Sequence, residues 1–507
     1  MNKKITRLIS LFLVFILAFS LAFAGCKKEE SEKEEETQAD ASKTPQAFTL
    51  KLPYSKSDKI NPFEAVSMLN QSIGELIYEG LFKLDENYKP IPNIAAKYTQ
   101  SGKTVRVTLN KAQFSDGSNI KLSDVVASFN NAKASPQYKA SLSNIKEAKI
   151  KDKGIEFTLD KPDPNAVNLL TFAITKGGSK DEKAIGSGRY TIVKKDQDAK
   201  LKLNTKKSDF KPNIKEINLC DVPDIDALKY TLAIGNISFA FDDLRAGDYS
   251  RFSASVKDIL MNNMVYVAFN KKNEDLRNEK VRQAISLLID RAEVADKGFK
   301  GYAKPTYAPF NPNWDVLSGK DLTITKDVDA AIKLLEEAGF RADLKAKPKK
   351  GEKKEKLTLE LLINKDNAFK VTTADIIKQM LSKANITVNV TALKEKDYKK
   401  AVSSGKYDMY LGEMKLTDSM NISSMLIEKG AVTYGIDTKG KASVAYEAYL
   451  NGSGDVFKFI EEFNADLPFI PLCFRSGIAA YTRSLKYGNK AHINDIYMDI
   501  EDWKFSS

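Results

Sequence analysis

Residue types that do nucleophilic and metal chemistry are scarce in this chain. Its 507 residues include one histidine, His492, and three cysteines, Cys26, Cys220 and Cys473. A Ser–His–Asp or Cys–His mechanism would have to run through His492 alone. That residue stands in Lys490-Ala491-His492-Ile493-Asn494, without an HExxH-type partner, and reads as structural or surface. Zinc sites of the common His/Cys kinds lack ligands. No catalytic residue, metal or cofactor is expected, and the inventory disfavours a hydrolase. Cys26 has the clearest chemical context. Lys3, Lys4 and Arg7 precede an apolar run from Leu8 to Ala24, broken only by Ser10 and Ser20, and small residues stand directly before the cysteine. Charged start, apolar middle and small end are the pattern of an export signal over 1–25. The run is also close to the minimum of roughly 17 residues that spans a bilayer. An uncleaved N-terminal anchor is therefore the competing reading. Both place the rest of the chain outside the cytoplasm, held at the membrane.

Leu21-Ala22-Phe23-Ala24-Gly25-Cys26 resembles the lipobox of bacterial lipoproteins, with Phe23 where leucine is usual. The resemblance implies a diacylglyceryl thioether on Cys26, which becomes the lipidated N-terminus. Cys220 and Cys473 then remain, as a disulfide or as two buried thiols. The formal net charge is +12, but lysines and acidic residues are interspersed, so the excess reads as a solvated basic surface that favours anionic headgroups. No compact aromatic-plus-basic module points to nucleic acid.

The elements that position any site follow in order. Residues 26–46, Glu/Lys-rich and apolar-poor, read as a tether that cannot offset its own ordering entropy. Alternation predicts strands over 48–52 and 105–109, a hairpin over 149–160, and a strand at 265–269. Helical spacing predicts helices over 71–82, 278–296 and 327–338, and one capped by Ser123 with Asp124 in its first turn. Gly-rich 177–188 is a crossing between lobes, since it lacks the GK[ST] ending of a phosphate loop. Residues 357–411 read β-α-β-α-β, so a parallel sheet is expected. Leu467 to Phe474 read as a strand entered through prolines that returns to the first lobe's sheet.

Several motifs carry a family likeness when taken together: Asn61-Pro62, Tyr78-Glu79-Gly80-Leu81, Phe114-Ser115-Asp116-Gly117 with Asp124-Val125-Val126 to Ser128-Phe129, Gly186-Ser187-Gly188-Arg189-Tyr190, and Ala268-Phe269-Asn270 with Val281-Arg282-Gln283-Ala284 to Ile289-Asp290-Arg291. Ala331 to Phe340 adds the A-x-x-L-L-x-x-A-G-[YF] pattern. In order and spacing the chain resembles, from about 48 to 502, the family 5 solute-binding proteins, the oligopeptide and dipeptide receptors of bacterial ABC importers. The resemblance implies an α/β fold of the two-lobed periplasmic-binding-protein type II-like kind, with a hinge between lobes. Lobe I would comprise 47–85, 186–262 and 461–507. An inserted subdomain would span 86–185, and lobe II 263–460.

Such a receptor is not an enzyme. It closes around ligand by hinge bending, and peptide main chain adds as a strand while side chains enter hydrated pockets. The family's aspartate for the peptide ammonium lies in a GW-x-x-D-x-x-D-P stretch. Here Tyr407 to Asn421 lacks the tryptophan and the D-P pair. Asp418 is the expected ammonium partner and Asn421 a neutral second. Asn70, Gln71, Tyr138 and Tyr434 are further cleft candidates by position. The expected partners are an oligopeptide or other small solute, an ABC permease with its ATPase, and the membrane through the lipid on Cys26. The expected state is a monomer at the outer face of the cytoplasmic membrane, on a Gram-positive type surface. Competing readings keep the fold but bind a metal chelate, oligosaccharide or opine, or sense or chaperone peptides without transport.

Overall fold

Strand β1 (Leu50–Tyr54) buries Leu50, Leu52 and Tyr54, as its alternation requires. It opens the part of the chain that the computed structural model describes, residues 49–506 without 196–197, 248–251, 344, 346–355, 428–436 and 489. Cys26, the tether and Tyr434 lie outside the described residues. Helix α1 (Met68–Ile77) starts earlier than its apolar spacing predicts, because the Ser67 hydroxyl accepts the Asn70 N–H as an N-cap. It stops at Ile77, before Phe82. Glu79 bridges to Ile174, and Phe82 opens a short strand. Gly80 passes so close to Thr171 that a Cβ there would lie 2.5 Å from its carbonyl oxygen.

A four-stranded sheet follows. Its strands are β2 (Ala95–Ser101), β3 (Thr104–Leu109), β4 (Ile145–Lys151) and β5 (Gly154–Leu159), in the order β2-β3-β5-β4. The expected 149–160 hairpin is β4–β5. Helix α2 (Leu122–Ala134) adds Val125 and Phe129 to the core that holds Phe157 and Phe172. Ser123 does not cap it. Lys121 holds the N-cap position, and the Asp124 carboxylate accepts the N–H of Lys121 at 2.7 Å and of Gly177 at 2.8 Å. Strands β6 (Tyr190–Lys195), β7 (Asp198–Leu203) and β8 (Glu216–Asp221) then complete a sheet with β1, in the order β1-β8-β7-β6.

Helix α3 (Ile225–Ala233) and β9 (Phe239–Asp242) lead to β10 (Ser255–Phe269), far longer than the five residues expected. Helix α4 (Glu279–Leu288) ends before the expected 296, because Ile289 turns extended and Asp290 caps a separate turn. There the buried Arg291 guanidinium donates to Ser286 and to the Pro471 carbonyl. Helix α5 (Val328–Glu337) is capped by Asp327. The β-α-β-α-β unit is present as β11 (Thr358–Asn364), α6 (Ala368–Ser382), β12 (Thr387–Leu393), α7 (Glu395–Ser404) and β13 (Met409–Lys415). As expected, β11 runs parallel to both β12 and β13. Helices α8 (Lys441–Leu450) and α9 (Val456–Asp466) precede β14 (Phe469–Tyr481), which is buried at all but its last residue. A strand covered on both faces needs a largely apolar run, broken here only by Arg475 and Ser476.

Strands β10 and β14 pass through both halves of the molecule. Ser255–Leu260 pair with Ser476–Tyr481 beside β9, which joins β1 where Ser238 N–H donates to the Lys51 carbonyl at 2.8 Å. Asn263–Ala268 pair with Phe469–Arg475 beside β13. The register breaks between Leu260 and Asn263. Ile259 and Met261 belong to the core under the β1 sheet, together with Trp503. Val265, Val267 and Phe269 belong to a second core, and Met264, Tyr266 and Ala268 to a third on the opposite face of the same sheet. The two strands thus leave one core and enter another at a break in pairing, where bending disturbs the fewest hydrogen bonds. Cys220 and Cys473 are unpaired, and the Cys220 thiol instead donates to the Asn236 carbonyl.

Candidate functional site

A cavity of about 1480 Å³ opens at this crossing. The β1 half contributes Met68, Lys229 and the 242–246 segment, and β10, β13 and β14 contribute Asn263, Tyr266, Gly412, Glu413, Lys415 and Arg475. The starts of α6 and α7 add Asn367, Lys370, Glu395 and Lys399. Basic lining side chains outnumber acidic ones, and the Glu395 carboxylate is engaged by Lys399 at 2.6 Å.

Strand β13 borders the cavity in an unusual way. Its inner edge pairs with β10 over its whole length, Met409 to Lys415. Its outer edge pairs with β11 only at Met409 and Tyr410. From Leu411 to Lys415 no strand lies beside it among the described residues. An edge of this kind accepts an extended chain through main-chain hydrogen bonds. Gly412 on this edge faces Tyr266 across the sheet, and a Cβ at 412 would lie 2.5 Å from that ring. The ring is held in place by its hydroxyl, 3.2 Å from that of Tyr410. Tyr398 donates to the Leu411 carbonyl at 2.9 Å.

Glu413 anchors a charged cluster on the cavity floor. Its carboxylate lies 2.6 Å from Arg475 Nε, 3.2 Å from Lys370 Nζ and 2.9 Å from Asn263 Nδ2. Burial pushes this carboxyl up, but Lys370 and Arg475, with hydrogen bonds from Arg475 and Asn263, outweigh it and bring it from 4.5 to about 2. Arg475 also donates through Nη1 to the Asp243 carbonyl, tying β14 to the segment that follows β9.

The residues named from sequence stand elsewhere. Asn70 is fully buried; its amide receives the Ser55 N–H and donates to the carbonyls of Ser55, Asp58 and Lys59. Gln71 donates to Ala65 at 3.1 Å, and Tyr138 is half-buried between the core under β1 and that of the inserted sheet. Asp418 and Asn421 lie in the loop after β13, which is clasped by the inserted part. Asn421 and Ser419 donate to the buried Asp163 carboxylate at 3.1 and 2.8 Å, and Asn168 donates to the Asp418 carbonyl. The Asp418 side chain has no hydrogen-bond partner among the described residues. Burial raises its acid to about 6, against the nearby Lys415. None of these five lines the cavity. His492 is buried with neither ring nitrogen partnered.

Sequence reasoning passed over Glu413, Arg475, Lys370 and Asn263, which come from four elements. One signal was available. Glu413 and Arg475 are charges inside otherwise apolar strands, and a buried charge needs a partner of opposite sign.

Residues 89–427 match the model of the bacterial extracellular solute-binding proteins, family 5 Middle. The oligopeptide-binding protein AppA of Bacillus subtilis (strain 168) is 24% identical over 424 residues, 76% of each chain. Among solved structures, the ABC transporter substrate-binding protein CtaP of Listeria monocytogenes superposes with a TM-score of 0.69 at 20% identity, covering 91% of this chain and 99% of that one. NikZ of Campylobacter jejuni, in complex with Ni(L-His), gives 0.60 at 21% identity, covering 90% and 99%. The architecture is that of a two-lobed α/β solute receptor. The chain belongs to the family 5 extracellular solute-binding proteins and is a binding protein, not an enzyme.

Proposed function

We propose that this protein captures peptides in the cavity between its lobes and delivers them to an ABC permease. The observation that carries this reading is the open outer edge of β13, Gly412 to Lys415, beyond the Leu411 carbonyl that Tyr398 occupies, bordering a 1480 Å³ cavity. A peptide laid along it gains main-chain hydrogen bonds whatever its sequence, while the surrounding volume accommodates its side chains. Lobe I comprises 47–85, 186–262 and 461–507, lobe II 263–460, and 86–185 is the inserted subdomain. Closure bends β10 and β14 at the break near Leu260. Asp418, with Asn421 beside it, takes the ligand's ammonium when the lobes are arranged around it. A lipid on Cys26 and the 26–46 tether hold the monomer at the outer face of the cytoplasmic membrane, within reach of the permease.

Two measurements test this reading. Mass spectrometry of ligand co-purified with the full-length protein is expected to find peptides. Peptides are expected to raise the melting temperature. If a sugar, opine or metal chelate raises it and peptides leave it unmoved, the peptide reading falls and the non-peptide alternative stands.

A further inference from the structure

The open edge of β13 separates two unlike sides of the cavity. Gly412 pairs with Tyr266, whose side chain belongs to the core of Met264 and Ala268, whereas Glu413 pairs with Val265, in the core on the opposite face. Glu413 accordingly meets Lys370 and Arg475. On the other side Gly412 presents no side chain, and the Tyr266 phenol takes that space. A Cβ at 412 would lie 2.5 Å from the ring and 2.7 Å from its hydroxyl oxygen. Helix α7 brings Tyr398 and Val402 to the same side, where both pack with the Tyr266 core and line the cavity. Tyr398 is fixed there by its bond to the Leu411 carbonyl, and Tyr266 meets Tyr410 edge to face, with ring centres 5.8 Å apart. Burial pushes the Tyr266 and Tyr410 phenols up, so each keeps its hydrogen at neutral pH. The two hydroxyls share one hydrogen bond, and one hydrogen is left without an acceptor among the described residues.

A peptide strand laid along Gly412 to Lys415 alternates its side chains between the two faces, and residues directly opposite one another in a strand pair share a face. The ligand residue beside Gly412 thus turns its side chain toward the tyrosines, and its neighbours turn theirs toward the charged side. We infer that the bay of Tyr266, Tyr398, Val402 and Tyr410 is a subsite for an aromatic side chain of the ligand, entered at Gly412. The inference rests on the peptide reading of the cavity and adds selectivity at one ligand position. An aromatic ring meets the tyrosine rings edge to face, a gain that an aliphatic side chain of similar area lacks. Its π-face also takes the spare hydroxyl hydrogen, which an aliphatic side chain leaves unpaired in a dry site. Gly412 acts as a positioning residue, because only a residue without a Cβ lets the Tyr266 phenol reach across to the edge.

The test uses the full-length protein and alanine-based hexapeptides that carry a single Tyr, Phe or Leu at each position in turn. The peptides compete for capture and are counted by mass spectrometry. At one position or more, Tyr and Phe are expected to exceed Leu by roughly threefold to tenfold. In Tyr398→Leu, which keeps apolar bulk and removes a ring, this ratio is expected to fall toward one, and in Tyr398→Phe to be kept. Capture of peptides with no position favouring an aromatic residue over leucine overturns the inference and leaves the peptide reading standing. An aromatic preference that Tyr398→Leu leaves undiminished also overturns it. Capture of no peptide overturns both. Because the positional scan needs no variant, poor folding of Tyr398→Leu does not remove the test.

Discussion

Replacing Glu413 with glutamine keeps the shape of the side chain and removes its charge. In the native protein the group is 14% exposed and lies between Arg475, Lys370 and Asn263. Its acid is brought from 4.5 to about 2. At about 1.4 kcal/mol per pKa unit, that depression corresponds to about 3 kcal/mol of native stability at neutral pH. The sign follows from which state binds the proton first. The unfolded chain takes it up near 4.5 and the folded one only near 2. The contribution is therefore whole above about pH 5 and fades as pH falls through 2. The variant also removes the one carboxylate that contacts both Arg475 and Lys370, which places the total loss at about 3–5 kcal/mol. Urea unfolding at pH 7 and pH 3 reads this directly. Trp503 reports on the core under β1, and Trp314 on the core that holds Met264 and Tyr266. At pH 7 the variant is expected to be weaker by about 3 kcal/mol or more, and at pH 3 the gap is expected to narrow by about half. A gap below about 1 kcal/mol at pH 7, or one that does not narrow in acid, refutes the reasoning.

Three further outcomes follow from the same geometry. Burial raises the Asp418 acid to about 6, so under the proposal that it takes the ligand's ammonium, affinity for peptides with a free amine is expected to weaken as pH drops through that value, while N-acetylated peptides hold theirs; isothermal titration at pH 5 and 7.5 checks it, and Asp418→Asn should act in the same selective way. Asn70→Ala removes bonds to Ser55, Asp58 and Lys59, and is expected to cost about 2–4 kcal/mol in urea unfolding while ligand affinity stays unchanged. Gly412→Val sets a side chain into the Tyr266 ring; a stability loss of about 1–3 kcal/mol and weaker peptide capture are expected, by melting and by titration.

The residue pattern alone determined the class of protein. Helical and strand periods are local, so the β-α-β-α-β unit at 357–411 was legible, as were the inserted hairpin and the β14 run. The motifs from Asn61 to Phe340 sufficed to predict the family. Where a boundary depends on a partner distant in sequence, local reading erred. Helix α1 ends where Glu79 meets Ile174, and α4 ends where Arg291 reaches the Pro471 carbonyl. The cavity floor was illegible for the same reason. Glu413, Arg475, Lys370 and Asn263 belong to four elements spread over more than 200 residues, and no spacing rule joins them. Position along the chain singled out Asn70, which tertiary packing turns inward onto its own loop. Sequence thus determined that this chain is a lobed receptor; only tertiary structure decided which edge of β13 stays open and which charges meet beside it. Periodicity is a property of neighbours along the chain, whereas a binding site is a meeting of residues that the sheet topology brings together.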